Sequence, residues 1–259
     1  MISNESMTGL ALVALIAMLL PFVVFFVLRR SFDLRGRNVL IGALVFIVMV
    51  VVLEASMHAY LLKFNPVTKA WFDANAYGFV VYGALAAAVF EETGRYLAMR
   101  FFAKPVAGSG TPIAYAIGHG GAEAVLIGIN IAGVAIIGYL ISTGQADSLH
   151  LDAATTEQIH KVLDGASFGN ALLGGVERIS ALILQIGLSF IVWQAVQARR
   201  IVFYFAAVAL HFAFDFPAAM AQRQLLPLST LEIEVGYGTL ALLVLAAIWA
   251  FAPRAQAQA

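Results

Sequence analysis

Long apolar runs separated by short polar stretches dominate the sequence. A membrane-spanning helix needs about 20 mainly apolar residues, because the hydrocarbon core of a bilayer is roughly 30 Å thick. On that rule the sequence predicts spanning helices at 8–28, 39–62, 78–102, 113–141, 171–197, 201–221 and 235–252. No internal repeat divides this series. We therefore expect an all-α membrane helix bundle of about seven transmembrane helices, forming a single domain over residues 1–259.

One stretch between the apolar runs, 142–170, is long enough to hold structure of its own. Its middle part has the pattern of a short amphipathic helix, with Thr155 or Thr156 as the predicted N-cap and Gly165 just after the end. We expect an extramembrane loop that is either a lid over the bundle or a solvated connector.

Composition supports the membrane assignment and excludes several classes of function. Hydrophobic residues make up 62% of the 259 residues and charged residues 12%, and the mean hydropathy is +0.90. These values are typical of an integral membrane protein in contact with the lipid bilayer. The net charge of zero provides no basic face for nucleic acid. Since the sequence has no cysteine, a thiol nucleophile, a thiolate metal site and a disulfide are excluded.

Lysine and arginine in the loops predict the orientation, because cytoplasmic loops carry an excess of both. If the N-terminus lies outside, nine of them fall on the inner side: Arg29, Arg30, Arg35, Arg37, Arg100, Lys104, Arg199, Arg200 and Arg254. Four fall on the outer side: Lys63, Lys69, Lys161 and Arg223. We therefore predict that the N-terminus is outside.

The most informative polar residues are Glu91, Glu92 and Arg95, in the middle of the third apolar run. An ionised side chain at the centre of a spanning helix costs about 2.5–3.5 kcal/mol even on lenient insertion scales. Glu91 and Arg95 are four residues apart and can pair on one helix face, whereas Glu92 points about 100° away. Such a pair can be purely structural, but Glu92 has no partner on its own helix.

Four other predicted spans also carry ionisable residues, several of them one helical turn apart. They are Glu54 and His58 in the second span, His119 and Glu123 in the fourth, Glu177 and Arg178 in the fifth, and His211 and Asp215 in the sixth. Because hydrocarbon offers no water, buried charges must be paired, protonated or bound to metal. Five such helices imply a shared polar chamber, although single histidines also serve as helix–helix hydrogen bonders. Glu54 and His58 could simply be solvated near the interface, and Glu177 and Arg178 could be structural.

Glutamate and histidine on facing helices support three kinds of chemistry. They can activate water as a general base, bind a divalent metal as in zinc peptidases, or relay protons or ions in a transporter. The zinc signature H-E-x-x-H is absent. Zinc is therefore possible but not indicated.

Three motifs resemble those of the CPBP intramembrane proteases, the group of CAAX prenyl endopeptidases and bacteriocin-processing proteins. Glu91-Glu92-Thr93-Gly94-Arg95 is similar to E-E-x-x-x-R, with one residue fewer before the arginine. The stretch from Tyr115 to His119 is similar to F-x-x-x-H, and the stretch from His211 to Asp215 is similar to H-x-x-x-N/D. The residues at these motifs are most similar to those of the YhfC-type branch, which is related to the PrsW-type proteases. The resemblance runs in order over more than half of the chain.

The resemblance implies peptide-bond hydrolysis inside a prokaryotic cell membrane, on a membrane-embedded or lipidated peptide. Its implied catalytic set is Glu91, Glu92, His119, His211 and Asp215. Glu91 would activate water with the help of His119, and His211 and residue 215 would stabilise the oxyanion. Supporting roles fall to Arg95, Glu123, Glu177, Arg178, Glu54 and His58. If a metal is bound, the implied ligands are His119, His211 and Glu91.

Two departures from the family pattern bear on the mechanism. Asp215 stands where asparagine is common, so it is protonated, orients His211 or binds a metal. Gln185 occupies a position where histidine is common in the YhfC pattern, which favours a glutamic protease over a metalloprotease. The alternatives are a proton- or ion-coupled transporter and a catalytically silent scaffold or immunity protein.

Overall fold

The computed structural model describes residues 4–106, 108–145, 151–164 and 167–251, and these residues form helices without any strand. The α-helices are α1 (Asn4–Leu28), α2 (Gly36–Phe46), α3 (Ala55–Ala59), α4 (Pro66–Ala74), α5 (Ala76–Phe101), α6 (Gly110–Ser142), α7 (Ala153–Asp164), α8 (Phe168–Gln197), α9 (Val202–Gln222) and α10 (Thr230–Phe251). The predicted all-α class is confirmed.

Six helices of the described residues are long and apolar enough to cross a membrane, and a seventh span results if α4 and α5 are taken together. These two helices meet at an angle of 113°. α5 is less apolar than the other spans because its second half carries Glu91, Glu92 and Arg95. The described residues therefore hold six to seven candidate spans, in agreement with the prediction of about seven. The orientation of the N-terminus remains a prediction.

The second span, Gly36–Phe64, is a continuous helix that departs twice from α geometry. Residues Ile47–Glu54 and Tyr60–Phe64 are π-helical. π-helical turns are rare and widen the helix locally. These turns could not be predicted from the sequence, because a run that is apolar on all sides has no hydrophobic periodicity.

The segment between α6 and α8 contains α7, whose Ile159 and Leu163 are buried. α7 packs against α6. Its N-terminus is capped by Asp152, whose Oδ1 accepts a hydrogen bond from the backbone N–H of Thr155 at 2.7 Å. The predicted Thr155 or Thr156 cap is therefore wrong, and Gly165 lies outside the described residues.

Helix α6 is the central element of the bundle, with α1, α2 and α8 packed around it. Its contact with α2 depends on two glycines. A Cβ atom at Gly118 would lie 1.8 Å from the backbone oxygen of Val39, and one at Gly42 would lie 2.1 Å from that of Tyr115. Small residues allow helix backbones to approach closely in membranes. This approach brings α2 alongside the α6 turns that carry His119.

We expect Gly118→Ala to destabilise the protein strongly, because the new methyl group would overlap backbone atoms that cannot move aside. Overpacking of this kind costs about 1–3 kcal/mol or more. Gly83→Ala is the matched control, since nothing lies within 4 Å of a Cβ atom at Gly83. Thermal unfolding of both variants in detergent micelles measures the difference. Equal stability of the two would contradict the close α2–α6 contact.

Candidate functional site

Glu91 is the centre of a buried polar cluster to which four helices contribute. Its Oε2 lies 2.9 Å from Nε2 of His119 on α6. The same oxygen accepts a hydrogen bond from Nε2 of Gln185 on α8 at 2.9 Å. Nε2 of His211 on α9 lies 3.9 Å away. Two imidazoles and an amide therefore converge on a single carboxylate oxygen.

Glu92, directly after Glu91, finds its partners on another side of α5. Its Oε1 lies 2.8 Å from Nδ1 of His211 and 3.4 Å from Nη1 of Arg95. Glu92 Oε2 is buried without a hydrogen-bond partner among the described residues. Arg95 is closer to Glu92 than to Glu91, which is 4.0 Å away. The expected Glu91–Arg95 pair is therefore weaker than the Glu92–Arg95 pair. Glu92 does have a partner on its own helix, contrary to the prediction.

Arg95 is fully buried and also joins α5 to α8. Its guanidinium group donates to the backbone oxygen of Gln185 at 3.3 Å and to Oε1 of the same residue. Gln185 therefore accepts from the arginine with its amide oxygen and donates to Glu91 with its amide nitrogen. This fixes the orientation of the amide group.

The side chain of His119 does not pair with Glu123, the partner that helical spacing predicts, but contacts other residues. Its Nδ1 lies 3.3 Å from the hydroxyl group of Tyr115, and Phe46 packs edge-on against its ring at a centroid distance of 5.2 Å. Glu123 instead accepts from Nη1 of Arg178 at 3.2 Å. Helical spacing made the His119–Glu123 pair possible, but the Glu91 carboxylate on α5 takes its place.

A cavity of about 180 Å³ adjoins the cluster. Its polar lining residues are Glu91, Glu123, Glu177, Arg178, Gln185, His211, Asp215 and Tyr237. Asp215 lies 3.4 Å from Nε2 of His211 through its Oδ2, and 41% of its side chain is exposed. Arg178 joins Glu123 and Glu177. The cavity has room for several water molecules, and we call it the chamber.

Glu54 and His58 do not lie in this cluster. His58 Nε2 is 3.1 Å from Glu54 Oε1, and its Nδ1 is 2.6 Å from the hydroxyl group of Tyr82. Among the described residues, no hydrogen bond or ion pair joins these three to Glu91. The expectation of one chamber shared by five helices is therefore wrong for the second span, because its Glu54 and His58 lie beside Tyr82 in the first half of α5.

Comparison with known proteins identifies the family. The profile of the family described as "YhfC intramembrane metalloprotease" matches residues 16–235. The chain belongs to this family. It is also 38% identical over 229 residues to the "Uncharacterized membrane protein YhfC" of Bacillus subtilis (strain 168), which covers 86% of this chain and 88% of that protein. No solved structure matches the chain.

Membership of this family confirms the prediction of an integral membrane protein in a bacterial cell membrane. The matched region contains every candidate residue of the site. The wider kinship with CPBP and PrsW proteases stays a prediction. The family description favours a metal, whereas glutamine in place of histidine at position 185 predicts a glutamic protease.

The donors around Glu91 fit a metal of the zinc type in their chemistry. Two histidine nitrogens and a carboxylate are a ligand set of zinc peptidases, and tetrahedral ligands at 2.0–2.1 Å from zinc lie roughly 3.3 Å apart. The distances from Glu91 Oε2 to the two Nε2 atoms, 2.9 and 3.9 Å, bracket that separation. Glu92 holds the far nitrogen of His211, as carboxylates do behind metal-bound histidines. Within the described residues, no three such side chains already surround a common metal position.

Gln185 belongs to the site but not to the candidate set that the sequence predicts. An amide in an apolar helix is a weak signal, and in the sequence Gln185 stands out only as a substitute for histidine. Its importance follows from position, because it contacts Glu91 and Arg95 at once. These two contacts become visible only when the packing of α8 against α5 is known.

We expect Arg95→Ala to lower the free energy of unfolding by about 3–5 kcal/mol, because it removes the guanidinium partner of the buried Glu92 carboxylate. Lys69→Ala is the control. Its partner Asp73 forms an exposed pair, and loss of such a pair costs only about 0.2–1 kcal/mol. Denaturant unfolding in micelles provides the comparison. Similar small losses in both variants would mean that Arg95 does not stabilise the cluster.

Proposed function

We propose that this protein is an intramembrane metal-dependent endopeptidase whose active site is the cluster around Glu91. The observation that carries the proposal is the convergence of His119 Nε2 and His211 Nε2 on Glu91 Oε2 beside the polar chamber. Membership of a family described as intramembrane metalloproteases supports the same chemistry. His119, His211 and Glu91 would hold the metal, with zinc as the first candidate.

Such a metal, when bound, supplies a Lewis acid that activates water and polarises the scissile carbonyl group. The chain's own residues prepare its two imidazoles. The Tyr115 hydroxyl group lies at Nδ1 of His119, and Glu92 Oε1 lies at Nδ1 of His211. Both contacts orient the rings so that Nε2 faces Glu91.

Asp215 is the carboxylate proposed to accept the proton of the attacking water and to pass it to the leaving amine. It lines the chamber, lies next to His211 and is more accessible than Glu91. An aspartate in this position has a use that an asparagine could not have, because only a carboxylate can take up a proton. This assigns a role to the departure from the family motif.

The substrate is proposed to be a membrane-embedded or lipidated peptide. In lipid, a helix satisfies its backbone hydrogen bonds internally, so a scissile bond becomes accessible only where the helix opens. The chamber offers hydrogen-bonding partners to an opened backbone, because carboxylates and an arginine line it. Opening of the substrate is therefore part of the proposed reaction.

A transporter is less well supported than a protease. Transporters often bind their cargo where helices are broken near the membrane centre, and the structure does contain a 113° bend between α4 and α5. That bend lies at Asn75, which caps α5 through a hydrogen bond from the backbone N–H of Gly78 at 2.8 Å. α5 then continues unbroken past Glu91. A silent scaffold or immunity protein is the other alternative.

We expect Glu91→Gln to abolish cleavage of a panel of membrane-spanning and lipidated peptides, with a loss of at least about 100-fold in kcat. Glu54→Gln is a matched control, since Glu54 is an equally buried glutamate of another cluster. The measurement uses purified protein in liposomes and mass spectrometry of the products. Equal effects of both variants would contradict the assignment, and no cleavage by the wild type would favour the transporter or the scaffold.

Metal content tests the ligand assignment independently of activity. We expect about one zinc ion per purified chain by elemental analysis, and loss of that zinc in His119→Ala and His211→Ala. Asp215→Asn should retain the metal but lose about 100-fold or more in kcat. Chelation should stop cleavage and zinc should restore it. Cleavage by a metal-free protein that survives chelation would instead support Glu91 acting on water without a metal.

A further inference from the structure

An apolar groove of about 540 Å³ lies between α8, α9 and α10 and adjoins the chamber. Leu184, Leu188 and Phe214 line both the groove and the chamber. The groove exists because α10 packs mainly against α8 and hardly against α9. Its volume lies within the 300–1,000 Å³ range of ordinary ligand sites.

The far end of the groove carries a polar group that the fold does not use. Ser109 lines that end and is only 2% exposed. Its hydroxyl group has no hydrogen-bond partner in the described residues. Ser109 is also the N-cap residue of α6, where a serine normally accepts from a backbone N–H, yet its side chain makes no such bond. A buried polar group without a partner is costly, so this hydroxyl group is available to a ligand.

The distance from the chamber to Ser109 corresponds to a short stretch of extended peptide. Ser109 and His119 are ten residues apart on α6, which at 1.5 Å per residue is about 15 Å. An extended chain rises about 3.3 Å per residue. Four or five substrate residues therefore span the distance from a bond held at Glu91 to the Ser109 hydroxyl group.

We propose that this groove binds the apolar residues on one side of the scissile bond, in extended conformation, with Ser109 donating a hydrogen bond to a substrate backbone carbonyl group. The inference rests on the proposed protease function. A polypeptide fits better than a bilayer lipid, because the occupant must present a polar backbone at both ends of an apolar groove, in the chamber and at Ser109. The protein then selects a run of apolar residues on one flank only.

Photo-crosslinking tests the groove without requiring cleavage. The probe is a lysine-flanked leucine–alanine transmembrane peptide with photo-leucine at successive positions, added to full-length Glu91→Gln protein in phosphatidylcholine liposomes. Ala247→Trp fills the groove, whereas Ala246→Trp changes an equally exposed neighbour on α10 that does not line it. We expect labels on α8 and α10, reduced about ten-fold by Ala247→Trp and less than two-fold by Ala246→Trp.

Equal labelling of the two tryptophan variants would overturn the proposal. So would groove labelling by a photoreactive phosphatidylcholine that the peptide does not displace, since the groove would then be a lipid site. These outcomes concern binding, and they are separate from the zinc and Glu91→Gln results that decide the protease function.

Ser109 is tested with a peptide that the wild type cleaves, or by crosslinking yield against peptide concentration if none is cleaved. Ser109→Ala should raise KM, or the half-saturating concentration, about two- to ten-fold. We expect unchanged kcat and thermal stability, because the hydroxyl group has no partner in the fold. Ser109→Thr should restore binding. An unchanged KM in Ser109→Ala would show that this hydroxyl group does not contact the substrate.

Discussion

The structure depends on the need to pair two adjacent carboxylates in the middle of a membrane. Glu91 and Glu92 cannot both be solvated there, and α5 offers only one guanidinium group, that of Arg95, which lies nearer to Glu92. The remaining partners must come from other helices. His119 on α6 and Gln185 on α8 meet Glu91, and His211 on α9 meets Glu92. α8 and α9 meet this requirement by packing directly against α5, and the His119 side chain meets it by reaching Glu91 from α6.

The same contacts that stabilise the bundle prepare its chemistry. Gln185 is fixed by the guanidinium group of Arg95, so its amide nitrogen faces Glu91. His211 is held at Nδ1 by Glu92, which leaves Nε2 near Glu91 and Asp215. A carboxylate behind an imidazole fixes the ring and raises its basicity. Structural and functional roles therefore cannot be assigned to separate residues in this cluster.

Much of the fold could be predicted from the sequence, because apolar runs report membrane spans directly. The pairs of polar side chains that meet between helices could not be predicted. Helical spacing allowed His119 to pair with Glu123 and Arg95 with Glu91, but spacing does not show which side chain a neighbouring helix brings closer. Gln185 gave too weak a signal for the same reason. The π-helical turns before Glu54 were also hidden, since they alter the direction of a side chain without altering composition.

In the proposed reaction, water and an apolar substrate would reach the site from different directions. The chamber wall on the side of Asp215 is polar, and a second cavity of about 320 Å³, between α5 and α9, shares Asp215 and Ala218 with it and extends to Arg223. The groove beyond Phe214 is apolar and ends at Ser109. An intramembrane hydrolase must admit water without exposing its substrate's apolar residues to it, because their desolvation helps to hold them. A polar approach at Asp215 and an apolar approach at Phe214, which both adjoin the chamber, satisfy both conditions.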